Sequence, residues 1–440
     1  MAQETTGRRD FLKTACAAAF TTSIFTGNVK GANDRIACGV IGTGRMGIEN
    51  LRFAMRQPDV EVVAVCDVYK PHMDEAVALA ANNGKTVRPV ADFRQILEDP
   101  SIDIVNISTP DHWHAYMTVE ACKNGKDVYV EKPICVYVEE GKRMVEAARK
   151  YQRVVQAGTM QRSGTHFQKA AGIVHSGALG KITLCRTWFD ELEKPEGFGN
   201  PPDSDPPEGL DWDMWLGPAP KRRFNANRWG VHPEMGAKRP FPWFRYFWDY
   251  AGGMMTDWGV HLLDIVHMGL NEPMPSAITA LGGKLWVRDN RETPDTLLVT
   301  YQYGDDFVAT FEALSGTSQG PYPVGPGTLF CGTEGTLFVN RRFYRVTPEK
   351  ESDLKAEEVK ASNDMNMAHW ANFIDCVKTR QRPISDIELC RRTTATCQLG
   401  NVAYRSKLRL DWDDQQETVA QAEARQYLTY RYREPWKLEV

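Results

Sequence analysis

The sequence predicts an α/β domain with a doubly wound parallel sheet, followed by an α+β domain with a large, mostly antiparallel open sheet. Three observations carry that expectation. Strand-like and helix-like runs alternate through the first third; a glycine-rich turn directly follows the first strand; and hairpin punctuation replaces the alternation after Tyr151.

The chain has 440 residues, enough for two or three domains of about 150 residues. Lys+Arg number 53 against 57 Asp+Glu, a formal net charge of −4, which argues against a nucleic-acid partner needing a basic surface. Hydrophobic residues make up 42% and charged residues 25%, the ordinary globular balance. The 10 cysteines contain no CxxC pair, and Cys38, Cys66, Cys185 and Cys331 lie in apolar runs, so they read as free, buried thiols. No apolar run reaches the roughly 18–20 residues of a membrane span.

The N-terminus, Thr6-Gly7-Arg8-Arg9-Asp10-Phe11-Leu12-Lys13 followed by a mildly apolar stretch over 14–25, resembles a twin-arginine export signal. The resemblance implies a signal over residues 1–32, the twin-arginine machinery as a partner, and export, to the periplasm. Such export carries folded proteins, so a cofactor would be loaded beforehand and held tightly.

Residues 33–157 form the first predicted domain. Strands are expected at 35–41, 61–66, 103–108, 127–130 and 154–157, with helices at 46–56, 73–81, 114–124 and 138–151. Gly42-Thr43-Gly44-Arg45-Met46-Gly47 joins the first strand to the first helix, and Asp67 ends the next strand twenty residues after Gly47. That context is the dinucleotide-binding Rossmann pattern. Gly42 makes the tight turn, Gly44 lets the backbone approach a pyrophosphate, and Gly47 allows close helix–strand packing. The helix N-terminus supplies N–H donors for phosphate. Asp67 would bind the adenine ribose hydroxyls and repel a 2′-phosphate, favouring NAD over NADP.

Ligands bind beyond the carboxyl ends of parallel strands. Ser108, Thr109, Pro110 and His114 after the third predicted strand, and Glu131 and Lys132 after the fourth, are therefore expected beside the cofactor. His112 and His114 lack an apparent third ligand, so no metal is expected.

Strand–GxGxxG–strand–Asp, then Ser108-Thr109-Pro110 with His114, then Glu131-Lys132-Pro133, resembles the Gfo/Idh/MocA oxidoreductases, named for glucose–fructose oxidoreductase and inositol dehydrogenase. The likeness runs from about Arg35 to the C-terminus. It implies an NAD(P)-dependent enzyme acting on sugars or cyclitols, Lys132 near the reacting hydroxyl, and a cis Lys132–Pro133 bond.

The second domain is expected over 158–440, with a helix at 165–176 and strands at 181–189, 277–287, 296–303, 306–313, 327–331 and 335–339. Two helices over 362–404 are expected to pack back on the first domain. Residues 190–249 differ in composition: ten of the 25 prolines lie between Pro195 and Pro242, and five of the 12 tryptophans between Trp212 and Trp248. A loop this long is expected to be an ordered insertion at the site mouth, with Trp243 and Trp248 as candidates to stack on substrate. Gln161 and Arg162 are candidates for substrate hydroxyls, and His369 reads as packing.

Gly252-Gly253-Met254-Met255-Thr256-Asp257-Trp258-Gly259-Val260-His261 sets Asp257 and His261 four apart, on one helical face. A carboxylate beside an imidazole orients it and raises its basicity, as an acid–base pair needs. The family resemblance joins Lys132, Asp257 and His261 as the catalytic set; Asp264 receives no role. Three functions fit: an exported NAD-dependent oxidoreductase of a sugar, cyclitol or glycoside; a glycoside hydrolase or lyase using tightly bound NAD; or a non-enzymatic sugar-binding protein. The open apolar sheet face, with family habit, implies a homo-oligomer, dimer or tetramer.

Overall fold

In the first half, six parallel strands lie in the order β3-β2-β1-β4-β5-β6. They are β1 (Ile36–Ile41), β2 (Val60–Cys66), β3 (Arg88–Val90), β4 (Ile104–Ile107), β5 (Asp127–Val130) and β6 (Val155–Ala157). The computed structural model describes residues 35–231, 241–321 and 324–440, so the arginine pair at 8–9 and the predicted signal lie outside the described residues. Buried β-branched runs such as Val-Glu-Val-Val-Ala-Val in β2 suit a sheet covered on both faces. Helices α1 (Arg45–Met55), α2 (Lys70–Asn82), α3 (Asp111–Lys123) and α4 (Val138–Lys150) supply the cover. The predicted third helix begins earlier, because Pro110 caps it and Asp111 opens its first turn. Strand β3 has no counterpart in the sequence reading; it is a three-residue edge strand containing Pro89, which sheets tolerate only at edges.

The second half holds an 11-stranded sheet ordered β15-β14-β13-β12-β7-β10-β9-β8-β16-β17, with β11 paired to β7. Its strands are β7 (Ile182–Leu192), β8 (Ala277–Gly283), β9 (Thr296–Tyr303), β10 (Phe307–Leu314), β11 (Gly316–Thr317), β12 (Gly327–Gly332), β13 (Gly335–Val339), β14 (Phe343–Pro348), β15 (Glu357–Lys360), β16 (Leu410–Asp413) and β17 (Thr418–Val419). Only β7 and β10 run parallel; the other pairings are antiparallel. This is the predicted fold class. Helices α5 (Thr165–His175), α6 (Gly253–Asp257), α7 (Gly259–Gly269), α8 (Met365–Thr379) and α9 (Ile387–Ser406) lie in this half, with short helical turns at Trp212–Leu216 and Ala226–Trp229 in the insertion. Helices α5, α7 and α9 pack on the sheet, while Leu281 and its register partner Leu298 stand exposed at 79% and 48%.

Helix α8 lies against the first domain. Trp370 stacks on Tyr129 with centroids 4.6 Å apart and donates to Asn50 Oδ1 at 3.1 Å. Arg380 pairs with Asp127, and Arg149 with Asp386 at the cap of α9. The two halves are thus joined by a buried aromatic contact that reaches Asn50, a partner of Glu131, and by half-exposed ion pairs, of which Arg380–Asp127 lies at the opposite, N-terminal end of β5.

Candidate active site

The turn after β1 has the geometry its glycines predict. Gly42 sits at φ +83°, and a Cβ there would lie 2.8 Å from the Ser108 backbone. A Cβ on Gly47 would approach Gly42 O to 1.8 Å, so helix and strand pack at a distance only glycine allows. At Gly44 a Cβ would meet nothing nearer than His72 Nδ1 at 4.0 Å. Helix α1 starts there without a side-chain cap or an acidic first turn, leaving its N–H groups for an anion. These features fit a bound dinucleotide pyrophosphate.

Asp67 directly follows β2, at the strand end where it is expected, but its oxygens already have protein partners. Oδ2 accepts from Thr43 N at 2.8 Å and Thr43 Oγ1 at 3.1 Å, Oδ1 accepts from Tyr69 N at 2.8 Å, and His72 lies 3.8 Å away. Burial would raise its pKa, yet His72 and the two backbone donors outweigh burial and hold it below the usual carboxylate range. Thr43 is fully buried by this contact and supports Asp67 instead of lining the cleft.

One cleft runs past Gly42, Gly44, Arg45 and Met46 to Asp67, Ser108, Thr109, Pro110, His114, Glu131, Lys132, Asp257 and His261. Its empty volume is about 1550 Å³, including the open mouth. The His114 ring bridges two strand-end loops, with Nδ1 2.7 Å from Pro133 O and Nε2 2.8 Å from Thr109 O; burial pushes its pKa down to about 4. Glu131 Oε1 accepts from Asn50 at 2.8 Å, and burial raises its pKa. The Lys132–Pro133 peptide is cis.

Lys132 Nζ donates to Asp257 Oδ1 at 2.7 Å and to the Asp257 carbonyl at 3.0 Å. Arg245 Nε lies 3.3 Å from Asp257 Oδ2. Burial would raise the Asp257 pKa, but Arg245 and Lys132 prevail and hold it far below the usual range. The predicted Asp257–His261 hydrogen bond is absent. The helix breaks at Trp258 between α6 and α7, so the four-residue spacing does not bring the two side chains together, and Asp257 turns to the cations instead. His261 Nδ1 is buried without a hydrogen-bond partner among the described residues. Its pKa falls well below the ordinary value, by burial and then by repulsion from Lys132 and Arg341, against the increase expected from a carboxylate neighbour.

Four expected substrate contacts are corrected. Gln161 bridges protein groups: Nε2 donates to His261 O at 2.9 Å and Oε1 accepts from Arg341 Nε at 3.0 Å. Arg162 is buried in a bidentate pair with Asp264, at 2.8 Å from either oxygen, with Glu272 also at 2.8 Å. That gives Asp264 its place: it balances a buried guanidinium. Trp243 stacks on Phe198 with centroids 4.8 Å apart, and Trp248 lies under Arg405. The cleft tryptophans are Trp113, Trp215, Trp229 and Trp258.

The insertion reaches this cleft by pairing with the loop after β2. Lys70 N donates to Gly209 O and Asp211 N to Val68 O, each at 2.9 Å. Trp215 O accepts from Trp113 Nε1 at 3.0 Å, and Trp229 packs edge-on against Tyr69. The C-terminal tail closes over the same place: Arg433 donates to Gly217 O at 2.9 Å, and Trp436 packs edge-on against Trp113.

Three cleft groups were not singled out from sequence. Asp111 is buried at the start of α3, and burial raises its pKa to about 8, with Arg245 opposing and Asp257 adding to the rise. Arg245 comes from the insertion and Arg341 from the β13–β14 turn. No local motif marks these arginines; only the tertiary fold brings them to strand ends far away in sequence.

Comparison with known proteins agrees with this architecture. The oxidoreductase family model for the NAD-binding Rossmann fold of Gfo/Idh/MocA proteins matches residues 36–159, and that for their C-terminal alpha/beta domain matches 163–438. The chain is 35% identical over 174 residues to an inositol 2-dehydrogenase of Rubrobacter xylanophilus, covering 39% of this chain and 48% of that one. It is 30% identical over 154 residues to a glycosyl hydrolase family 109 protein of Shewanella sp. (strain W3-18-1), covering 34% of each. These matches span half or less of the relatives' own length. The WlbA dehydrogenase of Bordetella pertussis, solved with NADH and UDP-GlcNAcA, shares the fold at TM-score 0.64 and 18% identity over 86% of this chain and 99% of that one. With both halves matched, the chain belongs to the Gfo/Idh/MocA oxidoreductase family.

Proposed function

We propose that the protein is an NAD-dependent oxidoreductase that oxidises or reduces a ring carbon of a sugar, cyclitol or glycoside. The observation that carries this reading is the single cleft leading from the Gly42–Gly47 turn to Lys132 and His261. Bound nicotinamide supplies the hydride acceptor. An ammonium has three donors, and Asp257 engages two from Lys132, leaving the third for the substrate oxygen. There it stabilises developing alkoxide charge. The neutral His261 imidazole takes the hydroxyl proton, and the Asp257 carboxylate offsets the resulting charge. Ionised Asp67 disfavours a 2′-phosphate, which supports NAD over NADP.

Denaturing the purified protein and identifying the released nucleotide, followed by a screen of sugars, cyclitols and glycosides for nicotinamide reduction, tests the reading. Absence of both binding and reduction would leave a sugar-binding scaffold. The likeness to a glycosyl hydrolase family 109 protein supports a second reading, redox-neutral glycoside cleavage. Release of nitrophenol from nitrophenyl glycosides without added NAD would favour it.

Two further proposals concern the whole molecule. The Arg8-Arg9 pair supports twin-arginine export to the periplasm, checked by the location of a tagged chain in cells lacking the translocase. The exposed Leu281, Leu298 and Trp286 support self-association through the open sheet face, checked by light scattering of a Leu281→Glu variant.

A further inference from the structure

We propose that Arg341 anchors a carboxylate on the substrate, so that the molecule turned over is a sugar acid rather than a neutral sugar; this deepens, and rests on, the oxidoreductase reading above. Asn340 pins the β13–β14 turn that bears Arg341, its Oδ1 accepting from Arg342 N at 2.9 Å and Phe343 N at 3.1 Å. From that turn the Arg341 side chain lines the cleft, its guanidinium 4.8 Å from the Trp258 ring centroid. The Trp258 ring is in turn 6.1 Å from that of His261. Gln161 holds the Nε edge at 3.0 Å and the His261 carbonyl at 2.9 Å, so one amide fixes the guanidinium relative to the proposed proton acceptor.

Among the described residues Arg341 has no ion-pair partner, and its two Nη groups have no hydrogen-bond acceptor. A largely buried, unpaired guanidinium is costly for a protein to keep. Of the other cleft charges only the Asp257 carboxylate favours its charged form, without an ion pair, and burial prevails. Lys132 and Arg245 are both engaged by Asp257. Burial pushes the Asp111 carboxyl up to about 8 and raises Glu131 as well, so both move towards their neutral forms. The wall near His261 therefore carries excess positive charge, concentrated in two coplanar N–H groups. That pattern fits a planar monoanion held bidentately. A phosphate dianion would call for a second free cation, and Arg341 is the one unpaired cation among the described residues of this wall.

The test uses the purified full-length protein with NAD and four probes: glucuronate, galacturonate, glucose and glucose 6-phosphate. Binding is read by calorimetry and turnover by nicotinamide absorbance. The expected result is binding of a uronate at least roughly tenfold tighter than glucose, as expected for a charge-assisted pair. In Arg341→Gln that ratio falls to near one, and Arg341→Lys keeps part of it, with both variants first shown to be folded by circular dichroism. Equal affinity for acid and neutral sugar, an equal loss of both in Arg341→Gln, or preference for the phosphate would overturn the proposal. Preferential uronate binding without nicotinamide reduction would support Arg341 as the anchor while sinking the oxidoreductase reading. Turnover of glucose with no uronate preference would do the reverse.

Discussion

The Lys132 ammonium and the Asp257 carboxylate meet at 2.7 Å, joining the end of β5 in one half to the end of α6 in the other. The pair is shielded, with side-chain exposures of 14% and 16%, so removing one member leaves the other poorly compensated. Its position makes it the joint on which the proposed chemistry turns.

Lys132→Ala is expected to lower kcat by about 10²-fold or more while leaving the NAD Kd within a few-fold. Asp257→Asn is expected to lower kcat by a smaller factor, about tenfold or more, because the lysine remains but loses its anchor. Steady-state kinetics alongside nucleotide titration separate the two quantities. Equal losses in kcat and NAD affinity would move Lys132 into cofactor binding.

Asp67→Ser should raise the NADP-to-NAD ratio of kcat/KM by roughly tenfold or more, since it removes a buried negative charge beside the expected ribose site. Thr43 and Tyr69 would lose their shared acceptor, so a modest fall in thermal midpoint should accompany the switch. An unchanged ratio would place the ribose elsewhere.

Asp111 links stability to pH. Its folded pKa of about 8 exceeds the ordinary value of 3.8, so between those values the folded state holds a proton that the unfolded state has released. Stability from this group is greatest below about pH 4 and declines as pH rises to about 8. Asp111→Asn should therefore be more stable than the parent at pH 7.5 by about 1–3 kcal/mol and melt at a higher temperature, and the two should converge at pH 4. Parallel melting curves across that range would contradict the assignment.

Asp264→Ala leaves Arg162 with a buried, under-compensated charge and should destabilise the fold by about 3–5 kcal/mol. The folded fraction should keep the parent's substrate KM, because Arg162 is not among the cleft residues. A large rise in KM at unchanged stability would return Arg162 to the substrate.

Fold and cofactor turn were legible because their signals are local. Gly42, Gly44 and Gly47 act within one strand–helix junction, and the strands around them are continuous apolar runs. Strand β14 was missed although Tyr344 and Val346 alternate inward, because its outward residues include Arg345 and the run is short. The Asp257–His261 pairing failed where helical spacing was assumed across the break at Trp258. Arg341 and Arg245 carried no local mark; their roles arise from burial and from which cations Asp257 engages. Trp243 and Trp248 illustrate the reverse case, in which a composition bias toward aromatic residues went into packing the insertion.

The C-terminal clasp orders events at the ribosome. Trp113, a wall residue, gains its edge-on neighbour Trp436 only after β17 and every strand before it have been synthesised. Nascent chains thus emerge with the nucleotide chamber unfinished on that side until the segment bearing Trp436 has cleared the exit tunnel. Deleting residues 431–440 would remove both the Trp436 edge on Trp113 and the Arg433 hydrogen bond to Gly217 O.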